Sequence, residues 1–249
     1  MLTEWDYSDL ADAYLQRPDY SEDAVNSMLK ITETNQNANV CDVGAGVAHL
    51  TLMLAKKGFK VNAVEPNDAM RKNGIIRTKD LKNVQWFEGV GENTKQENKS
   101  FDLVTFGSSF NVCDRQKALL ETSRILKDKG WFACMWNHRD LKDNIQNKIE
   151  EIIKSVVDGY GYGTRREDQV DEINKSNLFG NVIHLSSDVI HTQTIDDCIE
   201  AWRSHATLER QAGEKFLEVI TKIEKFLLNE NLEKIQIPYK TNIWLAQLK

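Results

Sequence analysis

The chain of 249 residues is short of several things, and each shortage excludes something. No stretch reaches about 18 consecutive apolar residues, so no membrane-spanning helix is expected. The opening MLTEWDYSDLADAY carries acids and no apolar run, which does not read as a secretory leader. The four cysteines, Cys41, Cys113, Cys134 and Cys198, never form a C-x-x-C pair. Spacing therefore offers no zinc site, and no metal is expected. Three of them fall in apolar stretches and read as buried, reduced thiols of a cytoplasmic protein. A basic excess is missing as well. Lys and Arg total 32 against 38 Asp and Glu, a formal net charge of −6. That balance argues against a nucleic-acid backbone as partner, while leaving room for a local basic pocket. The only prolines are Pro18, Pro66 and Pro238, so no Pro-Pro pair exists.

What is present is an alternation. Asn39–Val43, Lys60–Val64, Val84–Phe87, Phe101–Phe106 and Trp131–Trp136 read as short strands. Ala48–Lys57, Asp68–Lys79 and Asp114–Leu126 read as helices between them, the last stopped by Lys127-Asp128-Lys129-Gly130. Strands alternating with helices imply an α/β fold, a parallel sheet with helices on both faces. The pattern then changes. Lys142–Asp158 is a long amphipathic helix, and Gly159-Tyr160-Gly161-Tyr162-Gly163 is a loop. Val182–His191 is strand-like, Ile195–His205 and Glu214–Leu228 are helical, and Thr241–Leu248 closes as a strand. No repeat or low-complexity linker interrupts the chain. The expected organisation is a single domain over 1–249. Within it, 1–34 form N-terminal lid helices, 35–140 a cofactor-binding core, 141–181 a helical insertion capping a substrate, and 182–249 the C-terminal strands and helices.

Chemistry enters at Asp42-Val43-Gly44-Ala45-Gly46, which follows a strand and opens a helix. Glycines there let the backbone turn tightly and approach a ligand. A dinucleotide or S-adenosylmethionine commonly occupies such a loop. The dinucleotide fingerprint needs a third small residue three positions after the second glycine, and here that residue is His49. A pyrophosphate is thereby disfavoured. Glu65 ends the second strand, where a carboxylate can accept hydrogen bonds from both hydroxyls of a ribose.

Five ordered stretches carry a resemblance: VCDVGAGVAHLT (40–51), VNAVEPNDAM (61–70), WFEGVGENT (86–94), FDLVTFGSSFNVCD (101–114) and ALLETSRILKDKGWFACMWNHRD (118–140). In these the chain resembles the class I S-adenosylmethionine-dependent methyltransferases, in particular the small-molecule branch known as methyltransferase type 11. The segment from Ala11 to Tyr20 resembles that family's A-x-x-Y-x-x-x-R-P-x-Y opening, and the tail TNIWLAQLK its last strand. The resemblance implies a Rossmann-like sheet of seven mostly parallel strands, with a helical insertion after the fifth. It implies S-adenosyl-L-methionine as cofactor and S-adenosyl-L-homocysteine as product. Asp42, Gly44, Ala45 and Gly46 would line the methionine end, and Glu65 would hold the ribose. Pro66 and Met70 would lie near the adenine, with Gly91 and Glu92 at its edge. Gly107 and Ser108 would face the methionine portion, and Tyr14 and Arg17 would close over the cofactor. Asn111-Val112 stands where relatives often carry His-Trp. Val90-Gly91-Glu92 stands where an aspartate commonly precedes Ala-Glu.

The expected reaction is methyl transfer to a small-molecule acceptor at oxygen or nitrogen, such as an anionic metabolite or a glycan or natural-product precursor. Most acceleration would come from alignment, up to about 7–11 kcal/mol in favourable cases. A base is needed only where the acceptor must lose a proton. His138, beyond the fifth strand, is the candidate for substrate contact or base, flanked by Asn137 and Arg139. Arg165 and Arg166, after the Gly/Tyr loop, are candidates for pairing with an anionic substrate. Tyr20, Asn111 and His205 complete the expected substrate contacts. Trp5 and Tyr7 would join Tyr14 and Tyr20 in an aromatic lid. Rival readings are a non-catalytic S-adenosylmethionine-binding protein, a nucleic-acid methyltransferase and a nicotinamide dehydrogenase. Amino-methylating DNA enzymes of similar fold carry an Asx-Pro-Pro-aromatic loop, where this chain reads Gly107-Ser108-Ser109-Phe110-Asn111. A monomer or homodimer without membrane or nucleic-acid partners is expected.

Overall fold

A computed structural model describes residues 11–203 and 205–249, apart from the side chains of Ala13 and Arg165. The lid residues Trp5 and Tyr7 and the Arg165 side chain lie outside the described residues. Seven strands form one sheet: β1 (Asn39–Val43), β2 (Lys60–Val64), β3 (Val84–Phe87), β4 (Phe101–Gly107), β5 (Leu126–Arg139), β6 (Ile183–Thr194) and β7 (Lys234–Gln247). Their order is β3-β2-β1-β4-β5-β7-β6. β1 to β5 run parallel, and β7 runs antiparallel to both β5 and β6. The expected sheet class is thus the observed one. β1 reads Asn-Val-Cys-Asp-Val and is buried from its second residue onward, as a central strand covered on both faces must be. The strand order reverses between β1 and β4, which opens a crevice at the carboxyl ends of those strands.

Helices cover both faces. α1 (Glu22–Ile31) and α2 (His49–Lys56) pack Met28, Leu29, Leu50 and Leu54 against Leu103 and Met135. On the opposite face Leu119 and Ile125 of α4 (Arg115–Ile125) join Phe106, Phe132 and Trp136. Polar residues ahead of the helices set their starts. Asn67 accepts the Met70 N–H at 3.0 Å at the head of α3 (Asp68–Thr78), and Asp114 accepts the Lys117 N–H at 3.2 Å at the head of α4.

A second apolar core lies beyond the sheet. α5 (Asn144–Lys154), α7 (Ile195–Arg203), α8 (Ala206–Ala212) and α9 (Phe216–Asn229) bury Ile149, Ile153, Ile199, Trp202, Leu208 and Ile223 together with Ile235, Ile237 and Tyr239 of β7. The helices expected between 141 and 181 divide between two cores. α5 belongs to this outer lobe, whereas α6 (Val170–Lys175) puts Ile173 into the sheet core. The lobe is completed from residues far downstream.

Strand lengths differ from the sequence reading in one consequential way. β5 runs to Arg139, not Trp136, because β7 prolongs its ladder: His138 pairs with Lys240 and Arg139 with Tyr239. His138 therefore stands in a strand instead of the loop beyond it. At its start β5 takes in Lys127-Asp128-Lys129-Gly130, read as a helix stop, through a register shift against β4 between Phe101 and Leu103.

Candidate active site

The carboxyl ends of β1, β2 and β4 build the floor of a cleft of about 1190 Å³. A single small-molecule site commonly measures about 300–1,000 Å³, so this one has room for two occupants. Gly44 sits at φ +68°, and a Cβ there would lie 2.3 Å from the Ser109 Cβ. Its N–H and that of Ala45 donate to the Val64 carbonyl at 2.8 and 3.1 Å, which folds the loop onto β2. Gly46 sits at φ +54° with open space where a Cβ would project. One glycine thus serves packing, and the other leaves room.

Two buried carboxylates lie at the floor. Asp42 accepts the hydroxyls of Thr51 at 2.6 Å and Thr105 at 3.0 Å. Burial pushes its carboxyl up to about 6 in spite of these bonds. Glu65 accepts the Gly46 N–H at 2.8 Å and the Asn67 N–H at 2.9 Å, one on each oxygen. Burial raises this carboxyl too, against the lowering effect of the two backbone donors. Each Glu65 oxygen keeps a lone pair for a further donor. Pro66 and Met70 line the cleft beside it, as do Gly91 and Glu92. Gly91 is held close to Cys113, where a Cβ would come 2.5 Å from Sγ. Glu92 accepts the Asp114 N–H and so braces the head of α4.

The segment from Tyr14 to Tyr20 roofs this floor. Arg17 lies 3.7 Å over the Tyr14 ring. His49, which the sequence offered only as a departure from the dinucleotide pattern, ties the segment down. Its Nδ1 meets Asp19 at 2.7 Å and its Nε2 meets the Tyr14 carbonyl at 2.8 Å. Both partners are acceptors, so the ring satisfies both only with a proton on each nitrogen. The bond to His49 holds the Asp19 carboxyl below its ordinary range. Tyr20 is buried and shares a 2.9 Å hydrogen bond with Ser108, next to Gly107. Burial raises its phenol far above the ordinary value, so it stays protonated. Asn137 donates to the Asp19 carbonyl at 2.9 Å, which anchors the same segment to β5.

The far end of the cleft, below the outer lobe, is lined differently. Arg139 Nε donates to the Tyr239 hydroxyl at 3.0 Å, and its guanidinium lies 4.0 Å over the Trp202 ring. Arg166 donates to the Arg139 carbonyl at 3.1 Å and lies 4.0 Å over Tyr162. His138 takes the Asn242 side-chain N–H on Nδ1 at 3.2 Å, so its neutral ring carries the proton on Nε2. His205 does not end α7. Its Nδ1 caps α8 by accepting the Leu208 N–H at 3.2 Å, and its ring stacks on Trp202. Asn111 accepts the Trp136 indole N–H at 2.9 Å.

Every candidate cofactor, substrate or catalytic residue named from the sequence lines this one cleft, apart from Arg165 and the lid residues Trp5 and Tyr7, which are not described. Several of them also carry bonds inside the protein: Tyr20, Asn111, Asn137 and His205 each hold a neighbouring element. Sequence reasoning missed Tyr162, Arg210 and Tyr239 as lining residues. Only the Gly/Tyr loop gave any local signal for them. Among the described residues no group of three or more His, Cys, Asp or Glu is arranged to hold a metal ion, and no helix is long and apolar enough to cross a membrane.

Comparison with known proteins supplies the context. A family model described as "Methyltransferase domain" matches residues 41–134. An uncharacterized methyltransferase of Schizosaccharomyces pombe is 30% identical over 153 residues, which cover 61% of this chain and 60% of that protein. The chain thus spans less than two thirds of that relative. The ubiquinone/menaquinone biosynthesis C-methyltransferase UbiE of Rickettsia prowazekii is 28% identical over 189 residues, covering 61% of this chain and 76% of the relative. Among solved structures, phosphoethanolamine N-methyltransferase 2 of Haemonchus contortus, in complex with phosphomonomethylethanolamine and S-adenosylhomocysteine, matches with a TM-score of 0.57 at 15% identity. That match covers 98% of this chain and 60% of the other, and it is a likeness of fold.

Proposed function

This chain belongs to the class I S-adenosylmethionine-dependent methyltransferases, and on that premise we propose that it moves a methyl group from S-adenosylmethionine to a small-molecule acceptor at oxygen or nitrogen. The observation that carries the reading is the pairing of the open Gly46 position with the two-oxygen grip of Glu65 on the Gly46 and Asn67 N–H groups. That grip aims a carboxylate with spare acceptor capacity at the point where a ribose would lie. The residues fit the cofactor in charge as well. Asp42 is an acid whose ionised form is disfavoured by burial, so a cation nearby would stabilise it.

When bound, S-adenosylmethionine supplies an electrophilic methyl on a sulfonium. The chain's own residues do the rest. Asp42, Gly44, Ala45 and Gly46 bound the methionine end, with Gly107 and Ser108 opposite. Glu65 takes the ribose hydroxyls, and Pro66, Met70, Gly91 and Glu92 bound the adenine. Tyr14 and Arg17 close from above, held by His49. At the acceptor side His138, on β5, is the residue that contacts or orients the substrate. Alignment of an acceptor lone pair then does most of the work. Tyr20, Asn111, Asn137, Arg139 and His205 shape the acceptor end, with residues 141–181 contributing part of its cap. A carbon acceptor is the second reading, favoured by the C-methyltransferase name of the Rickettsia relative.

Calorimetric titration with S-adenosylhomocysteine, followed by a product assay over acceptor panels, tests the proposal. Wild type should bind S-adenosylhomocysteine more tightly than NAD. Glu65→Ala should weaken that binding about 100-fold, since it strands two backbone donors and removes a charged acceptor. Tighter binding of NAD would overturn the assignment. Binding with no turnover on any panel would favour a non-catalytic role.

A further inference from the structure

The far end of the cleft holds two cations that no described carboxylate pairs with. Arg139 has its Nε bonded to the Tyr239 hydroxyl and its plane fixed over Trp202. Its two terminal nitrogens donate to no described residue. Arg166 spends one terminal nitrogen on the Arg139 backbone carbonyl, which ties it to the end of β5, and its plane is fixed on Tyr162; both arginines line the same cleft. No described carboxylate pairs with either guanidinium. Glu150, the acid bonded to the Tyr162 hydroxyl, is engaged by that hydroxyl and by Lys154 at 3.0 Å. From Trp136 onward no Asp or Glu lines the cleft at all.

A half-buried cation without a counter-ion is costly, and a guanidinium in such a place usually finds a carboxylate. Here both planes are instead clamped by aromatic rings, with donor edges left over. A rigid fork with free donors is the arrangement that recognises a carboxylate or phosphate in two-point fashion. We propose that Arg139 and Arg166 form an oxyanion-binding subsite that anchors an anionic group of the methyl acceptor. The proposal rests on the methyltransferase reading only for the word acceptor; the subsite itself rests on the two side chains. The anchored oxyanion is a handle and not the reacting atom. Arg139 lies at the end of β5, with β4 between it and the glycine loop after β1. Neighbouring strands lie about 4.8 Å apart, so Arg139 stands at least about 10 Å from that loop across the sheet. The substrate class is therefore a small molecule with a carboxylate or phosphate separated from the group that receives the methyl.

The test uses simple probes on the whole chain. Malonate, inorganic phosphate and uncharged malonamide are titrated into protein saturated with S-adenosylhomocysteine, at low ionic strength. Malonate or phosphate should bind and malonamide should not, and the tighter of the two anions tells a planar from a tetrahedral occupant. Arg139→Gln with Arg166→Gln should weaken the anion about tenfold or more, while S-adenosylhomocysteine binding changes less than about threefold. Arg166→Gln alone, in a short turn, provides the same readout if the double variant does not fold. Anion affinity that is the same in the variants as in wild type overturns the subsite. So does a tenfold loss of S-adenosylhomocysteine affinity with anion binding intact, because the guanidiniums would then serve the cofactor's own carboxylate. If wild type binds no S-adenosylhomocysteine, the methyltransferase reading fails, and the same anion titration on the ligand-free protein still decides the subsite.

Discussion

At one end of the cleft Asp42 and Glu65 are buried acids held by hydroxyls and backbone N–H groups; at the other Arg139 and Arg166 are cations clamped by aromatic rings. The acidic end is built from contiguous pieces of chain, each a strand followed at once by its loop. The cationic end draws on β5, a turn after α5, α7 and the outer part of β7, which lie as much as 100 residues apart. The first end is shaped by backbone conformation, so its tolerance of change is small. The second is shaped by side-chain stacking, so its losses should be local. If this contrast is right, substitutions at the floor damage fold and cofactor binding together, and substitutions under the lobe damage only acceptor binding.

The largest effect should come from Gly44→Ala. A methyl group there would overlap Ser109 at a left-handed φ, and the loop cannot move without breaking its bonds to Val64. A destabilisation of about 2–4 kcal/mol is expected, with S-adenosylhomocysteine affinity down at least about 100-fold. Denaturant midpoints and calorimetry on the same samples check both. A stable variant with wild-type affinity would break the contrast at its firmest point.

A smaller effect should follow pH. The folded carboxyl of Asp42 is raised to about 6 from an ordinary value of 3.8. Below 3.8 both folded and unfolded chains hold the proton, and this group costs nothing. Between 3.8 and about 6 the unfolded chain releases it first, so stability falls as pH rises through that window. Above about 6 the loss is constant, at about 3 kcal/mol for this group alone. Asp42→Asn removes the titration. Its stability relative to wild type should therefore rise by up to that amount between pH 4 and pH 7.5, whatever constant cost the amide brings. A difference that does not change with pH would mean that Asp42 is not ionised against a burial cost.

This contrast also marks what could be read from the sequence. The floor was legible because each of its functions is local: glycines in a turn after a strand, and an acid at a strand end. The class of the sheet, seven mostly parallel strands, followed from the alternation of strands and helices together with the ordered motifs. The outer lobe was not legible, since its core joins Ile149 to Ile223 and Tyr239 across gaps that no periodicity spans. Pro238 hid the first half of β7, because proline gives no N–H to a ladder and argues against a central strand. Here it lies opposite Ile190 of β6, just past the last pair of β5, and the strand continues through it. That hidden half is what extends β5 to Arg139.

The smallest effect, and the sharpest probe of where the two ends divide, belongs to His49. It starts α2 on the floor but bonds Asp19 and the Tyr14 carbonyl of the roof, so it belongs to neither end alone. Asp19 is exposed, which limits the worth of that bond, whereas the carbonyl bond is more sheltered. His49→Ala should therefore cost little in global stability. It should weaken S-adenosylhomocysteine about three- to tenfold, because a roof that is not tied down must be ordered when the cofactor binds. Limited proteolysis between Tyr14 and Tyr20 separates this from a direct contact. Loss of the tie should speed cleavage in the ligand-free variant, and saturating S-adenosylhomocysteine should restore most of the protection. Weaker binding with unchanged proteolysis would mean that His49 touches the cofactor itself, and that other bonds, such as those of Asn137 and of Tyr20 to Ser108, hold the roof. In that case anion binding at Arg139 and Arg166 should still be untouched, since nothing in the tie reaches the far end.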